Sequence, residues 1–162
     1  MKVYWFTGLS GSGKTTLGIR LKKYFDNKNI SSFLLDGDDL RLGLSSDLQF
    51  SDDDRKENMR RAMEMAKLLL KNKIIPIVSL ISPFESERIR IKNNFIDYSF
   101  NLIYLDIDIE KCRKRDPKGL YKKKLKNFTG IDSIFEIPKT PNLILNTDNE
   151  SIDSCLAKII NL

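Results

Sequence analysis

Residues 8–15 read Gly-Leu-Ser-Gly-Ser-Gly-Lys-Thr, and this octet restricts the fold more tightly than any other part of the chain. It satisfies G-x-x-x-x-G-K-[ST] in full. The β-rich apolar run Lys2–Thr7 (KVYWFT) comes directly before it, and residues 14–25 after it carry Leu17, Leu21, Tyr24 and Phe25 at helical spacing. The expected unit is strand, glycine turn, helix. Glycines let successive backbone N–H groups converge on phosphate oxygens, and the helix N-terminus adds a favourable dipole. Gly8, Ser10, Gly11, Ser12, Gly13, Lys14, Thr15 and Thr16 are therefore the candidate ATP-binding positions. Lys14 is expected to reach the terminal phosphates and the Thr15 hydroxyl to take Mg²⁺, with Thr16 offering a second hydroxyl. GTPases, motor ATPases and small-molecule kinases share the motif, so it specifies nucleotide binding and no single reaction. The chain has no N-K-x-D guanine-reading motif, and at 162 residues it is short for a large ATPase.

The rest of the chain alternates between the two periods. Residues 31–35 read as a second strand, Asp52–Lys71 as a polar-started helix with apolar Met59, Met63, Ala66 and Leu70, and 74–82 as a strand apolar on both faces. Residues 85–95 read as a charged helix, 101–106 as a fourth strand, Ile109–Arg115 as a short helix and 143–145 as a fifth strand, with a closing helix from about residue 150. The pattern predicts an α/β protein with a P-loop NTPase-type three-layer α/β/α fold and a mainly parallel five-stranded sheet. One domain is expected over 1–162, with its least structured piece at about 116–141.

Lys and Arg number 28 against 22 Asp and Glu, a balance of +6 that suits an anionic ligand but is common among soluble proteins. The basic residues are densest between Lys111 and Lys126, a stretch broken by Pro117 and Gly119. Without an interleaved aromatic stripe it reads as a solvated loop, so no nucleic-acid partner is expected. Cys112 and Cys155 lack metal-type spacing and the chain has no histidine, so both read as packing residues of a reducing compartment. No run is long enough for a membrane span and no cleavable leader precedes the first strand, so a cytoplasmic location is expected.

After the second strand comes Asp36-Gly37-Asp38-Asp39-Leu40-Arg41, which places carboxylates at a strand tip, where doubly wound sheets bind ligands. One carboxylate could orient or deprotonate an attacking hydroxyl, and a second could serve Mg²⁺. The alternative is an acidic helix cap. Asp36 is the candidate base, with Lys14 beside it in catalysis, and Asp38 joins Thr15 as a candidate metal residue. Downstream lie Asp47-Leu-Gln-Phe50-Ser, Asp54-Arg55-Lys-Glu57-Asn58 and Arg60-Arg61. On residue types alone, Phe50 reads as a core or loop anchor and Arg55 as an exposed helix charge.

Together with Asp36-Gly-Asp38 and Arg41, these segments resemble the signature of the adenylylsulfate (APS) kinase family. The resemblance implies that Arg41, Arg55 and Asn58 hold a nucleotide-type acceptor, with Asp38 nearby, while Phe50 stacks on its base. Arginine forks suit sulfate and phosphate. Leu80-Ile81-Ser82-Pro83-Phe84 resembles the family's I-S-P-Y, whose serine is assigned as a phosphoserine intermediate. Ser82 is thus a candidate catalytic residue by resemblance, although no histidine exists to activate it and a turn hydroxyl or substrate contact is the alternative. Residue 85 is Glu where the family usually carries Arg.

Arg115-Asp-Pro-Lys118-Gly119-Leu120-Tyr121-Lys122-Lys123 and Asn127-Phe128-Thr129-Gly130-Ile131-Asp132 resemble the family's lid, which implies a single kinase domain over 1–162 with a lid after the fourth strand at about 116–141. By resemblance Phe128 is the second aromatic on the acceptor base, and Lys123 or a neighbour approaches the phosphates. The family commonly reads K-K-A-R-A-G-E-I-K before F-T-G, so this lid is several residues shorter, and the N-terminal extension of many members is not seen before the first strand. The resemblance implies ATP and Mg²⁺ as cofactors, a homodimer, and transfer of the ATP γ-phosphate to the ribose 3′-hydroxyl of APS in sulfate assimilation. Cytidine diphosphoramidate, the acceptor of divergent members in capsule polysaccharide biosynthesis, is the alternative. A non-catalytic nucleotide sensor is the remaining class, and the carboxylates at 36 and 38 argue against it.

Overall fold

The computed structural model describes residues 1–116, 119, 121 and 128–162. Five strands form one sheet: β1 (Lys2–Thr7), β2 (Ser32–Asp36), β3 (Ile75–Ser79), β4 (Ser99–Asp106) and β5 (Leu143–Asn146). Their order is β2-β3-β1-β4-β5 and every pairing is parallel. The helices are α1 (Lys14–Asp26), α2 (Gly37–Leu42), α3 (Asp52–Lys71), α4 (Glu85–Asn93), α5 (Ile109–Arg115) and α6 (Ile152–Ile160).

β1 lies at the centre because its side chains are apolar on both faces, as a doubly covered parallel sheet requires. Val3 and Trp5 join a core with Met59, Met63, Ala66 and Leu70 of α3 and Ile91 of α4. Tyr4 and Phe6 point the other way, into a core with Leu17 and Leu21 of α1 and Ile159 of α6. Alternation along one strand thus fills both layers. The α3 boundaries are those the sequence predicts. Its start is fixed by a capping box in which the Ser51 hydroxyl accepts from the Asp54 N–H and the Asp54 carboxylate accepts from the Ser51 N–H.

One expectation changes. The third strand, expected over 74–82, is regular only over Ile75–Ser79; single bonds, Leu80 N–H to Phe6 O and Gly8 N–H to Ile81 O, both 3.4 Å, continue beside β1 before the chain turns at Ser82 with φ 48°. Leu80 and Ser82 are buried past the last regular strand residue, so apolar character alone does not mark where the strand ends. The helix-cap reading of the acidic stretch after β2 is seen: α2 opens there, with Asp36 rather than Asp38 or Asp39 as its N-cap. Among the described residues no helix is long and apolar enough to cross a membrane.

Candidate active site

The C-terminal ends of β1, β2 and β3 open onto a cavity of about 850 Å³. Gly8, with φ 148°, ends β1 where a Cβ would stand 2.8 Å from the Leu105 carbonyl oxygen. Only glycine lets the loop pass so close to β4. Gly8 itself lies beneath the loop, whereas Ser10, Gly11, Ser12, Gly13, Lys14, Thr15 and Thr16 all line the cavity. Two flanking side chains tie the loop's carbonyls outward: the Tyr121 hydroxyl donates to Ser10 O at 2.9 Å and the Thr147 hydroxyl to Ser12 O at 2.9 Å. The Lys14 ammonium folds back onto the loop, donating to Gly8 O at 2.9 Å and Leu9 O at 2.7 Å.

Asp36 connects the loop with α2. Its Oδ2 accepts from the Thr15 hydroxyl at 2.7 Å and its Oδ1 from the Asp38 N–H at 3.0 Å. It therefore caps the helix that carries Arg41 and also fixes the rotation of the Thr15 hydroxyl. Sequence reasoning set the cap and the catalytic carboxylate as alternatives; a single side chain can serve both. Asp38 also lines the cavity.

Arg41, Phe50, Arg55 and Asn58 form one wall of this cavity. The Arg41 guanidinium lies 4.4 Å from the centroid of the Phe50 ring and that of Arg55 lies 5.8 Å away. Arg41 donates to Gln49 O at 2.7 Å, and Arg55 Nε donates to Phe50 O at 3.1 Å. Burial lowers the pKa of both arginines, and for Arg55 the adjacent Arg41 charge lowers it further. Two partly desolvated cations side by side favour an anion between them. Phe50 remains 48% exposed, so part of its ring can still receive a flat ligand. Its loop is tied to α3 by Arg61, which grips both Asp47 oxygens at 2.5 and 2.8 Å and also Glu57. Hydrogen bonds from Arg60 and Arg61 hold the Glu57 carboxyl down at about 2.

Among the described residues, three buried polar atoms on the cavity wall have no protein partner: Asn58 Oδ1, Ser79 Oγ and Thr129 Oγ1. Leaving such atoms without partners costs about 1–3 kcal/mol each, so a ligand or water is expected to satisfy them. Asn58 was among the sequence candidates; Ser79 and Thr129 were not, since nothing sets a lone hydroxyl apart in sequence. Ser82 lies at the tip beyond β3, where its Oγ accepts from the Trp5 indole N–H at 2.9 Å and its carbonyl from Arg88 at 2.5 Å. That bond leaves the hydroxyl proton of Ser82 able to donate into the cavity. Phe128 also lines the cavity and packs edge-on against Tyr121 at 4.6 Å. Lys123 lies outside the described residues, as does the whole stretch 122–127. Cys112 and Cys155 are free and buried, and burial pushes both thiols up.

A phosphate-binding loop at the C-terminal edge of a fully parallel 2-3-1-4-5 sheet, facing a cleft with a carboxylate at the neighbouring strand tip, defines a P-loop kinase fold. The family model described as Adenylylsulphate kinase matches residues 1–146, and the chain belongs to that family. It is 46% identical over 160 residues to the adenylyl-sulfate kinase of Marinobacter nauticus, covering 96% of this chain and 80% of the relative. Identity is also 46% to the adenylyl-sulfate kinase of Pseudomonas aeruginosa, over 98% of this chain and 83% of that one. The structure of the Mycobacterium tuberculosis APS kinase CysC in complex with AMPPNP and APS superimposes with a TM-score of 0.94 at 40% identity, covering 99% of this chain and 95% of that one. The protein is thus a kinase, a phosphotransferase with a hydroxyl acceptor.

Proposed function

We propose that the protein transfers the γ-phosphate of ATP to the ribose 3′-hydroxyl of adenylylsulfate, giving 3′-phosphoadenylylsulfate and ADP. The observation that carries this reading is the shared cavity, in which the phosphate loop and the Arg41–Phe50–Arg55–Asn58 wall meet through Asp36. A related chain holding AMPPNP and APS together supports it.

In this reading the loop amides and the Gly13–Lys14 helix start bind the ATP phosphates, and Lys14 swings from the Gly8 and Leu9 carbonyls to the migrating phosphoryl group. Arg41 and Arg55 hold the acceptor's sulfate-phosphate end, Phe50 and Phe128 its adenine, and Asn58 Oδ1 accepts from a donor on the acceptor. The 3′-oxygen attacks phosphorus in line as the bond to the ADP oxygen breaks, and the hydroxyl proton passes to Asp36. Ser82 acts as a hydrogen-bond donor at the strand tip with no phosphoserine step, since its oxygen is held by Trp5. Thr15 and Asp38 fit Mg²⁺, a hard cation that takes one or two protein oxygens and completes its shell with water and phosphate. When bound, the ion would neutralise charge on the β- and γ-phosphates.

We also propose that residues 1–162 act as one kinase domain, that Lys123 approaches the phosphates from a lid at about 116–141, and that the enzyme is a cytoplasmic homodimer. Two free buried thiols fit a reducing compartment.

The test compares kcat/KM for adenylylsulfate and cytidine diphosphoramidate as acceptors. A hundredfold preference for adenylylsulfate, equal to about 2.7 kcal/mol of differential transition-state binding, is expected. Equal rates, preference for the cytidine compound, or ADP release that no acceptor stimulates would overturn the assignment. Phe50→Ala should raise the acceptor KM by roughly 5- to 150-fold, the equivalent of about 1–3 kcal/mol of base stacking, with the ATP KM unchanged. An unchanged acceptor KM would remove Phe50 from the base site.

A further inference from the structure

Arg88 sits in the first turn of α4, and its side chain is only 1% exposed. All three of its guanidinium nitrogens are engaged. Nε and Nη2 donate to Glu85 Oε2 at 2.9 and 2.6 Å, Nη1 to the Ser82 carbonyl at 2.5 Å, and Nη2 also to the Glu136 carbonyl at 2.6 Å. The remaining bonds run between the same three segments. The Glu136 N–H donates to Pro83 O at 2.9 Å, the Glu85 N–H to Glu136 Oε2 at 2.5 Å, and the Lys139 N–H to Glu85 Oε1 at 3.2 Å. The guanidinium also lies 5.9 Å from the ring of Phe135, which stacks on Tyr104.

The network joins the strand tip at Ser82 to the segment that begins at Phe128. Between them, residues 128–133 close on themselves: the Phe128 carbonyl accepts from the Ile131 and Asp132 amides, and Gly130 N–H donates to Ser133 O. This compact turn carries Phe128 and Thr129 on the cavity wall. Its position relative to Ser82 therefore depends on where Glu136 is fastened. A buried ion pair is a poor source of net stability, because desolvation offsets most of the attraction; what a planar five-donor fork supplies is one fixed geometry. The loop contacts of Lys14, Tyr121 and Thr147 lie outside this network.

We infer that Glu85, Arg88 and Glu136 form a clasp of positioning residues that sets the Phe128–Thr129 wall against Ser82, and so governs acceptor binding but not ATP binding. The inference rests on the proposed acceptor reading of the cavity. Glu85→Gln keeps the shape but turns an amide N–H toward donors. It should raise the acceptor KM at least tenfold, leave the ATP KM within twofold, and speed amide exchange at residues 128–139 at least tenfold while β1 and β4 stay protected. Arg88→Lys retains the charge without the fork and should give the same split; wild-type behaviour in Arg88→Lys would overturn the inference. So would a folded Glu85→Gln with unchanged acceptor KM and unchanged exchange.

Should both variants fail to fold, the wild-type enzyme still decides the matter. Adenylylsulfate should slow exchange at Glu136 and Lys139 well beyond any effect of ADP, and equal slowing by both would overturn the clasp's role. Exchange in Glu85→Gln needs no substrate, so it tests the clasp even if acceptor-dependent ADP release is absent and the proposed activity falls.

Discussion

Replacing Asp36 by asparagine should lower kcat by about 10²–10⁴-fold, the usual range for a lost proton-transfer group, with the Kd for ATP little changed. The geometry says how. Asparagine can still cap α2 by accepting from the Asp38 N–H through one oxygen, so the helix carrying Arg41 should stay in place. The other position becomes an NH₂ facing the Thr15 hydroxyl, which must then accept where it now donates. Two losses follow, one of a base for the attacking hydroxyl and one of the hydroxyl orientation at Thr15. They separate by titrating Mg²⁺ into the variant: recovery of kcat at high metal would make Asp36 a positioning residue, and a deficit that persists supports the base. Turnover equal to wild type would remove Asp36 from the mechanism.

Lys14→Met should be comparably severe, with a loss of about 10²–10³-fold in kcat, the scale seen when one preorganised donor to transition-state charge is deleted. Lys14 is 8% exposed and its ammonium rests on two backbone carbonyls, so it is already desolvated before any phosphate arrives. Exchanging carbonyl dipoles for phosphate charge is then favoured at the moment of transfer. Methionine has nearly the same reach and no charge, but it leaves the Gly8 and Leu9 carbonyls without this donor, a cost of about 1–3 kcal/mol in stability. Circular dichroism should match wild type with a melting temperature lower by a few degrees, about 2–4 °C per kcal/mol, and a variant with full turnover would refute the assigned role of Lys14.

The parts of the fold that could be read in advance are those where one local signal has one outcome. Ser51 and Asp54 close a capping box, so α3 starts where the sequence says it does. The Gly8–Thr15 spacing admits few conformations, and Val3 to Phe6 had to be covered on both sides. Boundaries failed where burial and pairing part company. Leu80 and Ser82 stay buried past the last regular strand residue, so apolar character overstated β3. At six residues, α2 is too short to show a period.

The same holds at the site. Arg41, Phe50, Arg55 and Asn58 are scattered over loop and helix, with a spacing that carries no periodic signal; only their resemblance to a known signature nominated them, and the cavity brings them together. Arg88 was hidden in a charged helix without an apolar face to betray burial. Ser79 and Thr129 are visible only as atoms without partners.

The edge contact between Phe128 and Tyr121, followed by the Tyr121 hydroxyl on the Ser10 carbonyl, forms a continuous mechanical path from the proposed base site to the phosphate loop. Any coupling along that path runs through one ring contact and one hydrogen bond, and is expected to stay inside the twofold bound on the ATP KM set for the clasp variants. Thermodynamic reciprocity then requires the factor by which ATP tightens acceptor binding to equal the factor by which acceptor tightens ATP. The two aromatic rings would thereby make the enzyme's two substrates sense one another, although neither ring need touch the transferring phosphorus.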